Sequence, residues 1–176
     1  MSTTTHLMTA EELMNVDDDS HRHELIKGEL LTMPFFGEEH GAVTATLMAM
    51  LGLYVKANDL GVVFARTGYK LETNPDTVLG PDISFRTKDR VGTIKDDYFC
   101  NPPDLAIEVR YSRENPEQRA EQWLAFATKS VWLVILDQRL VEVISATGER
   151  KLFDESDELM DDTVPGFRVR VSEIFD

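Results

Sequence analysis

Pro81-Asp82-Ile83-Ser84-Phe85 and Asp104-Leu105-Ala106-Ile107-Glu108-Val109-Arg110 read as two β-strands that each carry an acid. Side chains on a strand alternate between faces with period two. In the first stretch Ile83 and Phe85 share a face, and Asp82 takes the other with Ser84. In the second, Leu105, Ile107 and Val109 form the apolar face, while Asp104, Ala106, Glu108 and Arg110 point the opposite way. If the two strands pair, Asp82 and Glu108 stand side by side over a common space. Two carboxylates there repel, and each raises the other's pKa, unless a cation lies between them. On that view, loss of one acid leaves the metal-free fold no less stable. An oxygen-only pair suits Mg²⁺ or Mn²⁺ rather than Zn²⁺. Two acids facing water from edge strands would give the same pattern.

At 176 residues the chain is expected to form one domain, residues 1–176, with a core of ordinary size. Its apolar fraction is 42%, and no apolar run is long enough to span a membrane. The start, Met1 to His6, lacks the charged and apolar regions of a signal peptide, so a cytoplasmic setting is expected. Cys100 is the single cysteine; without a nucleophile signature around it, it reads as a small, partly buried hydrophobe. The net charge of −14 argues against a simple nucleic-acid coat protein, which needs a basic surface. Asp17-Asp18-Asp19, and the acids at 154, 155, 157, 158, 161 and 162, read as solvated loops. Neither run has the glycine and terminal glutamate of an EF-hand. Arg86, Lys88, Arg90 and Lys95 follow the first strand, and Arg110 and Arg113 the second, which suggests a basic rim around an acidic site.

The remaining elements are read from capping, periodicity and turn residues. Thr9-Ala10-Glu11-Glu12 is a capping box that opens a short helix to about Val16. His23 to Met33, interrupted by Lys27-Gly28, reads as a hairpin. Apolar residues at 43, 47, 50, 51, 54 and 55 mark a helix from Gly41 to about Lys56. Strand character returns from Gly61 to Leu71, and Asn74-Pro75-Asp76 is a turn. Thr87 to Pro103 is loop-like. Asn115-Pro116 starts a helix with Ala120, Trp123, Leu124 and Ala127 on its apolar face. Val131 to Leu136 is a strand covered on both sides, followed by strands at 140–144 and 151–153. The resulting class is α/β or α+β: a mixed central sheet flanked by helices, with an N-terminal helix and β-hairpin.

This order of elements resembles the Uma-two endonuclease family, a branch of the PD-(D/E)XK restriction-endonuclease-like superfamily. The resemblance rests on Met8 to Glu12, Glu24 to Leu30, Glu39-His40-Gly41, Gly80 to Ile83, Pro102 to Val109, Val131 to Val134 and Val164 to Phe167. It implies a restriction-endonuclease-like fold and Mg²⁺- or Mn²⁺-dependent hydrolysis of DNA. Asp82 and Glu108 would hold the metal with the backbone carbonyl of Val109. Glu29 would be a further acid supplied by the hairpin, and His40 either lines the site or bonds to backbone. A homodimer is also implied.

The basic residue departs from that pattern. Arg110 stands two residues after Glu108, where the superfamily has lysine. Family members carry a lysine on the following helix, four residues before an aromatic; that position is Arg119, before Trp123. Arginine can hold a phosphate, but its pKa above about 12 bars it from acting as a base. Arg110, Arg119 and, less directly, Lys70 are the candidate cations. The departure leaves three classes of function open. They are a metal-dependent nuclease weakened by arginine, a catalytically inactive binding or regulatory domain on the same fold, and a globular protein with an unrelated ligand.

Overall fold

The computed structural model describes residues 6–17, 21–94, 97–98 and 101–176. Lys95, Cys100, Asp18 and Asp19, named above, lie outside the described residues. Helix α1 (Ala10–Met14) opens on the expected capping box: the Glu12 N–H donates to Thr9 Oγ1 at 3.2 Å and the Thr9 N–H to Glu12 Oε2 at 2.8 Å. Strands β1 (Arg22–Ile26) and β2 (Glu29–Met33) form the hairpin, with Ile26 opposite Glu29. Its two-residue loop has positive φ at both Lys27 (52°) and Gly28 (80°), the type I′ geometry that matches the twist of a hairpin. A Cβ at Gly28 would stand 2.7 Å from that of Leu7, so the turn accepts only glycine there.

Helix α2 (Glu38–Ala57) starts before the apolar period does, because Glu38 and Glu39 favour its positive N-terminal end. Strands β3 (Gly61–Ala65) and β4 (Tyr69–Glu72) divide the expected 61–71 strand at Arg66, whose φ is +48°. Strand β5 (Thr77–Leu79), unforeseen in the sequence, precedes β6 (Ile83–Thr87) and the short helix α3 (Lys88–Val91). Then come β7 (Leu105–Arg110), α4 (Pro116–Ala125), β8 (Ser130–Ile135), β9 (Leu140–Ser145) and β10 (Arg150–Phe153). Pro116 takes the first turn of α4 as expected, but Asn115 is left-handed and makes no side-chain cap. The chain closes with β11 (Glu158–Met160), β12 (Arg168–Arg170) and α5 (Val171–Phe175).

The central sheet has six strands in the order β10-β9-β8-β7-β6-β3, with β7 and β8 parallel and the other pairs antiparallel. A smaller antiparallel sheet has the order β2-β1-β5-β4. Helix α2 covers one face of the large sheet through Val43, Leu47, Leu51 and Val55, which meet Ile83, Phe85, Leu105, Ile107 and Val109. Full burial of each such side chain contributes about 1.5–3 kcal/mol. The opposite face holds Ala106, Leu133 and Ile135 under Ala120 and Trp123 of α4. The two faces of β7 are therefore divided as the alternation predicts, and Glu108 lies on the α4 side. No described helix is long and apolar enough to cross a membrane.

One expectation fails at the C-terminal acidic run. It is not simply a solvated loop: Leu159 is buried in the core, and Asp161 accepts from Trp132 Nε1 at 2.7 Å and Ser130 Oγ at 2.6 Å. The apolar residues within and just after the run, Leu159, Val164, Phe167 and Val169, carry the segment into the core.

Candidate active site

The chain passes from the small sheet to the large one at Gly80-Pro81-Asp82, between β5 and β6. Strands β6 and β7 pair antiparallel with Ile83 opposite Ile107, so one step further Asp82 lies beside Glu108. Strand β1 brings Arg22 and Glu24, α4 brings Arg119 and Trp123, and the first turn of α2 brings His40. The site thus forms where two sheets and two helices meet. Both Asp82 and Glu108 are 0% exposed, and Glu24 is 1%.

Three carboxylates alternate with three guanidinium groups. Arg110 donates through Nη1 to Asp82 Oδ2 and to the Val109 carbonyl, both at 2.7 Å, and through Nη2 to Glu108 Oε2 at 2.5 Å. Arg119 sits between Glu108 and Glu24: its Nη1 and Nη2 each lie 2.9 Å from a Glu24 oxygen, and Nη2 is 3.0 Å from Glu108 Oε1. Arg22 joins Glu24 Oε1 at 3.2 Å to Asp82 Oδ1 at 3.0 Å. Neutral donors complete the shells. The Val109 N–H gives to Asp82 Oδ2 at 2.9 Å, Trp123 Nε1 to Glu108 Oε1 at 2.7 Å, and the Gly80 N–H to Glu24 Oε1 at 2.9 Å.

The electrostatics follow from this closure. Burial pushes the Asp82 carboxyl up, but His40, Arg110 and Arg22 outweigh it and hold the pKa well below the usual carboxylate range. Burial works against the charge of Arg119, and Glu108 and Glu24 outweigh it, so its pKa rises. Arg110 is raised in the same sense by Glu108 and Asp82 against its burial. His40 Nε2 stands 3.3 Å from Asp82 Oδ2 but is not aligned for a hydrogen bond. Its ring stacks on Phe36 at 3.8 Å between centroids. The far side of the cluster opens into a cleft of about 390 Å³ bounded by Phe35, Phe36, Tyr111, Arg113, Asn115 and Gln122, with Arg110 and Arg119 in its wall.

Of the residues singled out in the sequence, Asp82, Glu108, Val109, Arg110 and Arg119 come together, and His40 lines the same site. Glu29 does not join them. It is exposed at the hairpin turn, and the acid that β1 and β2 contribute is Glu24. Lys70 pairs with Asp76 at 3.0 Å instead. Among the described residues, the basic residues that follow β6 also turn away from the site. Arg86 bonds the carbonyls of Asn101 and Arg90, Arg90 pairs with Asp104 at 2.6 Å, and Lys88 pairs with Asp59. Sequence reading missed Glu24 and Arg22 as site residues. Their signal was the alternation Arg22, Glu24, Ile26 on one strand face, which puts a cation and an acid side by side on β1. The expectation that Asp82 and Glu108 raise each other's pKa is overturned for Asp82, because guanidinium groups stand between the acids.

A mixed sheet crossed by an acid-bearing strand pair, with a helix supplying a cation from one side, defines a restriction-endonuclease-like protein. The family model Uma2, described as "Putative restriction endonuclease", matches residues 10–172, and the chain belongs to that family. Among solved structures it is similar to a protein of Anabaena variabilis ATCC 29413 described as a "putative nuclease belonging to DUF820". The TM-score is 0.80 at 19% identity, over 96% of this chain and 97% of that one, a likeness of fold. The comparison with curated proteins gives no match.

Restriction-endonuclease-like proteins generally use divalent metals, and the donors here fit one in kind. Two carboxylates and a carbonyl, all oxygen, already converge on a positive group, the Arg110 guanidinium. Among the described residues no three His, Cys, Asp or Glu side chains are grouped as they stand to hold a metal, and Glu24 is turned to Arg119. It is separated from Glu108 by Arg119.

Proposed function

We propose that this chain is a divalent-metal-dependent endonuclease that hydrolyses phosphodiester bonds in DNA, at a low intrinsic rate. The observation that carries this is the buried convergence of Asp82, Glu108 and the Val109 carbonyl beside a cleft walled by Arg119. Those three groups would hold Mg²⁺ or Mn²⁺. When bound, such an ion polarises a phosphate oxygen and lowers the pKa of a coordinated water.

The chain's own residues supply orientation and charge. Trp123 Nε1 and Arg119 fix the Glu108 carboxylate, and the Val109 N–H fixes that of Asp82. Glu24 holds Arg119 at the cleft wall with two contacts, which places a fixed cation where negative charge builds on a phosphate. Neither Arg110 nor Arg119 can take a proton from water, which accounts for the low rate. Cleavage of supercoiled plasmid and of single-stranded DNA tests the proposal. Wild type should cut slowly with Mg²⁺ or Mn²⁺, Glu108→Gln should not cut, and Arg119→Ala should lose at least tenfold. Metal-dependent cutting that survives Glu108→Gln would end it.

A second function is favoured by a specific observation: each oxygen of Asp82, Glu108 and Glu24 already has a partner within the protein. A site so satisfied suits a non-catalytic binding or regulatory domain. DNA binding without cleavage at any Mn²⁺ concentration would select it.

A further inference from the structure

The position where the proposed metal would sit is filled by a side chain of this protein. Arg110 takes Asp82 Oδ2, Glu108 Oε2 and the Val109 carbonyl, the same donors assigned to the metal. A guanidinium and a divalent ion cannot share these oxygens. Metal–oxygen distances of about 2.0–2.2 Å would bring two like charges within a few ångströms in a buried site, where screening is weak. Arg110 is itself held. The face of Phe36 lies 5.0 Å from its guanidinium carbon, and Phe36 is stacked in turn on buried His40. On its open side Arg110 borders the cleft, where Arg113 and the N-terminal turn of α4 line the wall.

Resting on the nuclease proposal above, we propose that Arg110 is a built-in counter-ion of the metal site. It neutralises Asp82 and Glu108 in the metal-free protein, is latched by Phe36, and leaves for the cleft when a divalent ion binds. The chemistry of the cleft gives it a destination. A phosphodiester lying there would offer the guanidinium two oxygens in the fork geometry it now uses on Asp82 and Glu108. Substrate and metal then bind cooperatively, since each removes an obstacle to the other. Arg119 differs: its two Glu24 contacts keep it in place whether or not a metal is bound.

Calorimetric and paramagnetic titration of Mn²⁺ into the whole protein tests this without relying on activity. Wild type should bind weakly. Arg110→Ala should bind at least tenfold more tightly, and Mn²⁺ should raise its melting temperature while leaving that of wild type nearly unchanged. Arg110→Lys keeps the charge with a less well-matched head group and should fall between them, which covers the case where Arg110→Ala does not fold without metal. Phe36→Ala should raise Mn²⁺ affinity severalfold by loosening the latch. Adding Asp82→Asn to Arg110→Lys should abolish the gain. Equal Mn²⁺ affinity in wild type and both Arg110 variants overturns the inference, whether that affinity is high or nil. If wild type binds Mn²⁺ tightly and cuts DNA, the nuclease proposal stands and the counter-ion role falls. If the Arg110 variants gain Mn²⁺ but no variant cuts DNA, the counter-ion role stands and the nuclease proposal falls.

Discussion

The two ends of the β6–β7 pair bury acids in opposite ways. At one end Asp104 is a lone carboxylate with Arg90 at 2.6 Å, Lys129 at 2.7 Å and the Thr87 N–H at 2.9 Å. At the other, Asp82, Glu108 and Glu24 crowd together with three arginines threaded between them. The first arrangement is what a fold needs to bury one charge: an excess of donors, two of them cations, from α3, the end of β6 and the loop before β8. The second brings like charges together, which no structural economy requires, and then spends three arginines to make it tolerable. Burial and ion pairing therefore do not separate a structural acid from a functional one. What distinguishes the second end is the convergence of several acids on one point beside a cleft, the observation on which the proposed function rests.

The largest expected effect is at the crowded end. Arg110→Ala leaves Asp82 and Glu108 buried without their shared partner, and should cost about 3–5 kcal/mol of metal-free stability by urea denaturation. Asp82→Asn should cost nearly as much, about 3 kcal/mol, since it removes the buried negative charge that Arg22 and Arg110 share and leaves a cluster with an excess of positive charge. This reverses what two repelling carboxylates would do. A metal-free Asp82→Asn protein as stable as wild type would show that the arginines are not bound as described.

Acid titration sharpens the contrast from the other end. Burial raises the Asp104 carboxyl, but Lys129, the Thr87 N–H and Arg90 together lower it below its ordinary value. Asp82 is lowered as well. A carboxyl with a depressed folded pKa adds stability that is present above its unfolded value of about 4 and is lost as pH falls through the folded value. Wild-type stability should therefore fall steeply below pH about 4. Asp104→Asn should be less stable at neutral pH but fall less on acidification, as measured by denaturant unfolding across that range.

The sequence carried much of this and missed the rest for identifiable reasons. Alternation along Leu105 to Arg110 assigned both faces of β7, and the capping box at Thr9 and the Lys27-Gly28 turn were legible because they are local. The choice between Glu24 and Glu29 was not. Both lie on one face of the hairpin, and only the pairing of β1 with β5 decides which end of that face meets Gly80 and α4. Arg110 was named as a cation for the substrate; that it already bridges Asp82, Glu108 and the Val109 carbonyl depends on a register between strands over twenty residues apart. The core role of residues 158–174 was hidden by the density of acids between their apolar positions.

Smaller effects follow the same lines. Glu24→Gln should reduce DNA cleavage at least tenfold by releasing Arg119, while Glu29→Gln at the exposed turn should change neither rate nor stability measurably. At the structural end Lys129→Ala should cost only about 1 kcal/mol, because Lys129 is 57% exposed and Arg90 still faces Asp104.

Anomalous diffraction from crystals of the wild-type protein grown with Mn²⁺ and a short DNA strand tests the central assignment most directly. The expected result is a manganese peak bounded by Asp82, Glu108 and the Val109 carbonyl, with the Arg110 side chain turned out into the cleft. Manganese confined to surface acids, with Arg110 still bridging Asp82 and Glu108 at saturating Mn²⁺, would contradict it.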